Sequence, residues 1–181
     1  MNKFNILISS VILGISIYFL FQLVENQVYL YDWKIANETF SNRYYQLEHY
    51  QSLSSKLQNN ELFFFDYAQR LAAFKKWKEA DSIINHKVLT RQTTSKLLIL
   101  RGDIQLCLHD TINAIENYKL ACFIVPHSLI SKFRLMKTNL AIGDTAKGYF
   151  WANCILNERV KIWSPTSDSI QTEVLHFFTK K

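Results

Sequence analysis

The sequence predicts an all-α chain: a single N-terminal transmembrane helix, then an α-solenoid of about three helical hairpins, closed by a C-terminal capping helix. Three observations predict it. The 181 residues include four Gly and two Pro, too few turn-formers for a fold of many short strands. Residues 4–24 read FNILISSVILGISIYFLFQLV, uncharged between Lys3 and Glu25. Small residues then recur at an interval of 34, from Ala68 to Gly102, Ala80 to Ala114 and Ala114 to Gly148. With 49% apolar and 20% charged residues, the chain is globular in composition and not disordered.

At 1.5 Å rise per residue, the 4–24 run is long enough to cross a hydrocarbon core of about 30 Å. Tyr18, Tyr29, Tyr31 and Trp33 cluster toward its far end, where amphipathic rings favour a membrane interface. A cleaved signal peptide is the competing reading. Its apolar region is about 7–15 residues long and leads to a small-residue cleavage site, whereas this run continues into YFLFQLVENQVYLYDW. No Cys follows it to carry a lipoprotein anchor, so residues 4–24 are expected to be an uncleaved single-pass anchor. Lys3 on one side faces Lys34 and Arg43 on the other, so the positive-inside count discriminates little. The expected orientation puts the soluble body outside the cytoplasm, on the periplasmic side. Residues 25–61 are assigned to a helical connector, either plain or a degenerate repeat, with WKIANETFSNRYYQLEHYQSLSSKLQ forming one or two helices.

Residues 62–163 are assigned to the repeats. Counting from Gly102, Ala114, Tyr118, Ala121 and Pro126 fall at +12, +16, +19 and +24. Two antiparallel helices that cross closely need little bulk where they meet, which Gly102, Ala114 and Ala121 supply. Tyr118 lies on the same face as Ala114 and is expected to fill the space toward the next hairpin. Pro126 ends the second helix, because its nitrogen has no hydrogen to donate. A helix is expected over 96–108, with Asp110 capping the next. Over 129–140, Leu129, Phe133, Met136 and Leu140 form one stripe, with Lys132, Arg134, Lys137 and Asn139 elsewhere. Gly143 then reads as a helix stop and Asp144 as another cap. In 164–181, Ser164 caps a last helix, Pro165 suits its first position, and Ile170, Val174 and Phe177 or Phe178 make the face that closes the stack.

On these positions residues 62–157 resemble about three tetratricopeptide repeats (TPR), the middle one matching best. The first retains Ala68, Trp77 and Ala80, and the third Gly143 and Gly148; Gln92 stands where the first would end in Pro. A wider resemblance takes in YLYDWKIANETFSNRYYQLEHYQSL, NNELFFFDYAQRL, ACFIVPHSLISKFRLMKTNLAIGDTAKG and VKIWSP. Together with the membrane helix, these are similar to the C-terminal portion of bacterial O-antigen ligase-like membrane proteins that end in such repeats. The resemblance implies an accessory or separated tail of such an enzyme in cell-surface polysaccharide assembly. Those enzymes hold their catalytic region among many membrane helices, so no catalytic residue carries over.

The chain's own residues point the same way. His49, His86, His109, His127 and His176 form no ligand pair at helical spacing with another His or a Cys. His109 beside Asp110 lies at an expected turn with no reacting partner. No catalytic residue, cofactor or metal is therefore expected. Cys107, Cys122 and Cys154 lack CxxC spacing; a Cys107–Cys122 bridge within one hairpin and plain buried thiols both remain open. The net charge of +6 gathers in 82–102 (Lys87, Arg91, Lys96, Arg101) and 117–143 (Lys119, Lys132, Arg134, Lys137). Either these are solvated helix faces or they meet an acidic glycan or lipid. Nucleic acid is not expected, since no recognition motif accompanies the charge.

Stacked hairpins present a concave surface lined by first helices. The 34-residue register places Phe65, Ile99 and Phe133, then Gln69, Asp103 and Lys137, at equivalent positions there. These are the candidate contacts for a protein partner, although the three apolar ones read more readily as core. The peptide-carboxylate-binding branch of the repeat family uses Lys and Asn at such places, which this chain does not. The expected function is a non-catalytic, membrane-anchored scaffold for protein–protein interaction.

Overall fold

The computed structural model describes residues 3–38, 43–88, 93–159 and 164–179. Every regular element among them is helical: α1 Lys3–Glu38, α2 Arg43–Ser54, α3 Glu61–Ala73, α4 Trp77–Ile83 with a π-helical continuation Ile84–Val88, α5 Ser95–Cys107, α6 Thr111–Ile124, α7 Leu129–Ala141, α8 Thr145–Leu156 and α9 Pro165–Thr179. The chain divides into two compact units, Met1–Arg70 and Leu71–Lys181.

In the first unit, α1 runs unbroken past residues 24 and 25, where the sequence reading ends the anchor and begins the connector. Neither Gly nor Pro occurs between Gly14 and Glu38 to stop it. Val11–Lys34 is long and apolar enough to cross a membrane. The helix changes character along its length. Side chains from Val11 to Val24 are exposed, whereas Glu25, Tyr29 and Trp33, one turn apart, are half-buried. Trp33 meets Phe63 edge-on at 5.8 Å, and its Nε1 donates to Asp66 at 3.0 Å. The hydroxyl of buried Tyr50 on α2 donates to the same carboxylate. The Tyr50 ring stacks at 5.5 Å on both Phe63 and Tyr67 of α3. Burial first, and then the Asp66 carboxylate, hold the Tyr50 hydroxyl well above the ordinary tyrosine value.

The second unit shows its repeat in the backbone. Among the described residues, three have left-handed φ, Lys75 at 61°, His109 at 64° and Gly143 at 81°, and they are spaced by 34. Each sits in the turn after a first helix. There the following residue reaches back to a carbonyl five positions earlier: Lys76 to Leu71 at 2.9 Å, Asp110 to Gln105 at 2.8 Å and Asp144 to Asn139 at 2.9 Å. This is the Schellman closure, which satisfies carbonyls a helix end leaves open. The helix starts are capped just as locally. Thr94, Asp110, Ser128 and Asp144 accept from the backbone N–H three residues on, and Ser164 accepts from Ser167 N at 3.1 Å. Pro126 falls in the turn that follows α6.

Packing explains the small residues. Ala80, Ala114, Ala121 and Ala152 are fully buried, as is Ala68 in the first unit. A Cβ on Gly102 would stand 2.5 Å from the Tyr118 ring. Tyr118 thus lies across its own hairpin as well as toward the next, where it shares a core with Ala114 and Leu135. Gly148 is held just as tightly, since a Cβ there would overlap Leu140. The next hairpin solves the crossing the other way round. Register equivalents of Gly102 and Tyr118 are Met136 and Ala152, which belong to one core with Leu129, Phe133, Ile155, Ile170 and Val174. Bulk on one helix is matched by its absence on the partner, as close packing requires.

Candidate partner-binding surface

Of the six concave-face candidates, Phe65 (half-buried) and Gln69 (exposed) lie on α3 in the first unit. Ile99 and Asp103 on α5, and Phe133 and Lys137 on α7, lie in the second. Phe133 is only 8% exposed and packs into the core that includes Ile170 and Val174 of α9. The Lys137 ammonium stands 5.1 Å from the Phe133 ring and 3.1 Å from Glu173 on α9. The closing helix therefore occupies the α7 part of this face. Asp103 accepts from Tyr118 Oη at 2.7 Å and from Arg134 Nη2 at 2.9 Å, with Arg134 Nε also 2.9 Å away but not aligned to donate. It joins α5, α6 and α7 and is engaged within the stack. Burial first, and then Asp103, push the Tyr118 hydroxyl well above its ordinary value. Ile99 is half-buried.

The same pattern accounts for the positive stretch 117–143. Lys119 pairs with Glu116, Lys132 with Glu158, Arg134 with Asp103 and Lys137 with Glu173. Three of these carboxylates come from other helices or their ends. Lys132 and Asn139, placed by the sequence reading away from the apolar stripe, are in fact buried. Lys132 is buried because Glu158 meets it. Asn139 is buried because its amide donates to the Leu135 carbonyl at 2.7 Å. Glu158 also meets His127 Nδ1 at 2.6 Å, and hydrogen bonds from Lys132 and then His127 hold its carboxyl below the usual glutamate value. In the other positive stretch, Lys96 is exposed, while Arg91 lies outside the described residues, as does Gln92.

A surface the sequence reading did not single out lies between α6 and α8. Ile112, Ile115, Lys119, Ile142, Phe150 and Trp151 are among the residues around a groove of about 440 Å³. Ile112, Phe150 and Ile142 are 79%, 57% and 53% exposed. The signal was present in TINAIENYKLACFI: once Ala114, Tyr118 and Ala121 face the hairpin, Ile112, Leu120 and Phe123 have no neighbour to cover them.

Among the described residues, no group of three or more His, Cys, Asp or Glu is placed to hold a metal ion. His109 is exposed in its turn. The three Cys are free thiols, Cys107 being exposed at the end of α5. Cys122 is half-buried, and burial raises its thiol while a hydrogen bond with Ser131 opposes the shift.

No family model and no curated protein matches the chain. Solved structures do match it in fold. A crystal structure of MamA superposes with a TM-score of 0.56 at 12% identity, over 60% of this chain and 64% of that one. The MamA RS-1 ArsTM double mutant gives 0.58 at 13%, over 62% and 63%. PcrH, in complex with the chaperone binding region of PopB, gives 0.53 at 12%, over 63% and 90%. The chain spans just under two thirds of the length of the two MamA chains. All three are TPR-like helical repeat proteins, and this chain is an all-α protein of the same TPR-like solenoid fold.

Proposed function

We propose that the chain is a membrane-anchored, non-catalytic scaffold that holds a protein partner on the surfaces of its TPR-like repeats. The observation that carries this reading is the groove between α6 and α8, where Ile112, Ile142 and Phe150 are exposed on a unit whose ionic groups largely pair with one another. Apolar side chains grouped at a surface favour a partner that covers them. The PcrH structure, in which a fold of this kind holds a segment of another protein, supports the same use here. The unbroken α1 supports an uncleaved anchor, because a helix continuing through residues 24 and 25 offers no extended segment for cleavage. The body lies outside the cytoplasm in this reading.

The test is copurification of the full chain from membranes in mild detergent, with mass spectrometry of what is bound. Ile112→Asp and Phe150→Asp are compared with Ile99→Asp, Gln69→Ala and a control, Lys78→Ala. A stoichiometric partner lost with the groove variants and kept by the control is the expected result. Loss with Ile99→Asp and Gln69→Ala instead would move the contact to the first-helix face. Equal recovery from all five would refute a repeat-mediated scaffold.

The resemblance of IVPHSLISKFRLM and GDTAKG to ligase-like tails leaves an accessory role in polysaccharide assembly as a second reading, and recovery of a polytopic glycan enzyme would favour it. Contact with acidic glycan through 117–143 is the weaker part of that reading, since its four named cations are ion-paired.

A further inference from the structure

We propose that a polar cavity beside the end of the apolar run of α1 is a binding site for the phosphate of a phospholipid headgroup. This rests on the reading of residues 4–24 as membrane-embedded. The cavity, about 520 Å³, lies within the first unit between one face of α1 (Gln22, Asn26, Leu30) and the segment 55–60 that follows α2. Its polar lining is made of carboxamides, a hydroxyl and the Lys56 ammonium; no carboxylate lines it.

Two of the carboxamides build the segment itself. Gln58 Nε2 donates to the Ser55 carbonyl at 2.9 Å, and Asn60 Oδ1 accepts from Phe63 N at 3.0 Å. Gln22, Asn26 and Asn59 line the cavity as well and bring further carboxamides to it. Lys56 is exposed, and its Nζ lies 5.4 Å from the centre of the Tyr29 ring, which holds the ammonium at the cavity's edge. Glu25, beside Asn26 on α1, accepts from the Tyr29 hydroxyl at 2.9 Å and does not line the cavity.

Depth selects the ligand. Twenty-one residues from Phe4 to Val24 rise about 31 Å at 1.5 Å each, which consumes the hydrocarbon thickness. Gln22 and Asn26 straddle that end by one turn, at the level of the phosphodiester layer. An ammonium with neutral amide donors around it suits a phosphate monoanion, whose charge-assisted hydrogen bonds are the strong kind. An acidic bilayer surface also draws the ammonium toward it. A soluble phosphoester shares this chemistry but not this depth, so the lipid is the source to which the geometry commits.

The test uses the full chain in mild detergent, titrated with phosphatidylglycerol and read by native mass spectrometry. The probes beside it are Lys56→Ala, Lys56→Arg, the distant control Lys78→Ala, and sn-glycerol 3-phosphate in solution. One lipid retained per chain is expected. Retention should weaken roughly tenfold in Lys56→Ala, the loss of one charge-assisted contact, recover in Lys56→Arg and stay unchanged in Lys78→Ala. Equal retention by Lys56→Ala and the unaltered chain would overturn the site, as would glycerol 3-phosphate binding as tightly as the lipid. Flotation of the chain with vesicles after an alkaline wash reports separately on the anchor. A chain that fails to float would overturn the membrane reading itself, whereas one that floats with no effect of Lys56→Ala would overturn the headgroup site alone.

Discussion

Replacing Gly102 by Ala adds one methyl group at a crossing with no room for it in the second unit. The new Cβ would lie 2.5, 2.8 and 2.9 Å from three atoms of the Tyr118 ring, where ordinary contact begins at 3.4 Å. The ring would have to retreat by about 0.9 Å, the difference between those distances. It has little room to do so: Tyr118 is 0% exposed and its hydroxyl is bonded to Asp103, which Arg134 holds from α7. Overpacking of this kind costs about 1–3 kcal/mol. The gain in helix propensity on leaving Gly returns up to about 1 kcal/mol. Because the buried, tethered ring has so little room, the upper part of the overpacking range, about 2–3 kcal/mol, applies, and the net loss is about 1–2 kcal/mol, or a fall of roughly 5–10 °C in the unfolding midpoint for a unit of this size. Circular-dichroism melting of the full chain in mild detergent measures it. In a Tyr118→Ala background the obstacle is gone, so Gly102→Ala should become neutral or stabilising there. A neutral Gly102→Ala in the unaltered chain, or the same loss in both backgrounds, would refute the steric reasoning.

Other expectations follow from the turns and the ionised groups. His109 holds a left-handed conformation that costs a non-glycine residue about 1–2 kcal/mol. His109→Gly should therefore raise stability by about 0.5–1 kcal/mol after the entropy of the added Gly is subtracted, while Gly143→Ala at the equivalent turn should lower it; denaturant titration reads both. Because Glu158 is held below the usual glutamate value by Lys132 and His127, its contribution is present above the unfolded value of about 4.3 and is lost as pH falls through the lower folded value. Glu158→Gln should flatten that acid limb in melts taken across the acidic range. Tyr50 and Tyr118 are raised by burial and by Asp66 and Asp103 respectively. Spectrophotometric titration should thus find them still un-ionised above the ordinary tyrosine value. Their share of stability is complete below the unfolded value of about 10 and declines as pH rises above it.

The features legible in the sequence are those fixed by neighbours a few residues away. Asp110, Asp144 and Ser164 read as caps because a cap is satisfied three positions on, and Gly143 reads as a stop because its turn needs positive φ. The 34-residue spacing is legible because each crossing needs a small residue on one of its helices. What is hidden depends on partners far along the chain. Lys132 is an ordinary surface lysine until Glu158, 26 residues later, folds against it. Trp33 reads as an interfacial ring, yet it is bonded to Asp66, 33 residues on. For the same reason the sequence does not show that α1 runs on past residue 24: the half-buried face Glu25–Tyr29–Trp33 is recognisable only once α3 supplies Phe63 and Asp66. Register alone puts Phe133 and Lys137 on the concave face, and register is blind to the closing helix that engages them. Nothing local announces the π-helical end of α4 either, since INHKV contains no Gly or Pro.

The reciprocal crossings, Gly102 with Tyr118 in one hairpin and Met136 with Ala152 in the next, bear on how such a chain can change by recombination. An exchange that joins α5 directly to α8 would set Gly102 against Ala152 and leave a void. One that joins α7 to α6 would set Met136 against Tyr118, two bulky side chains in one place. Breakpoints between hairpins preserve both pairs. Duplications and deletions of this array should therefore be tolerated in whole hairpins bounded near residues 93–95 and 126–128, and rejected when the break falls in the turns around His109 or Gly143, although the sequence period is 34 residues at either place.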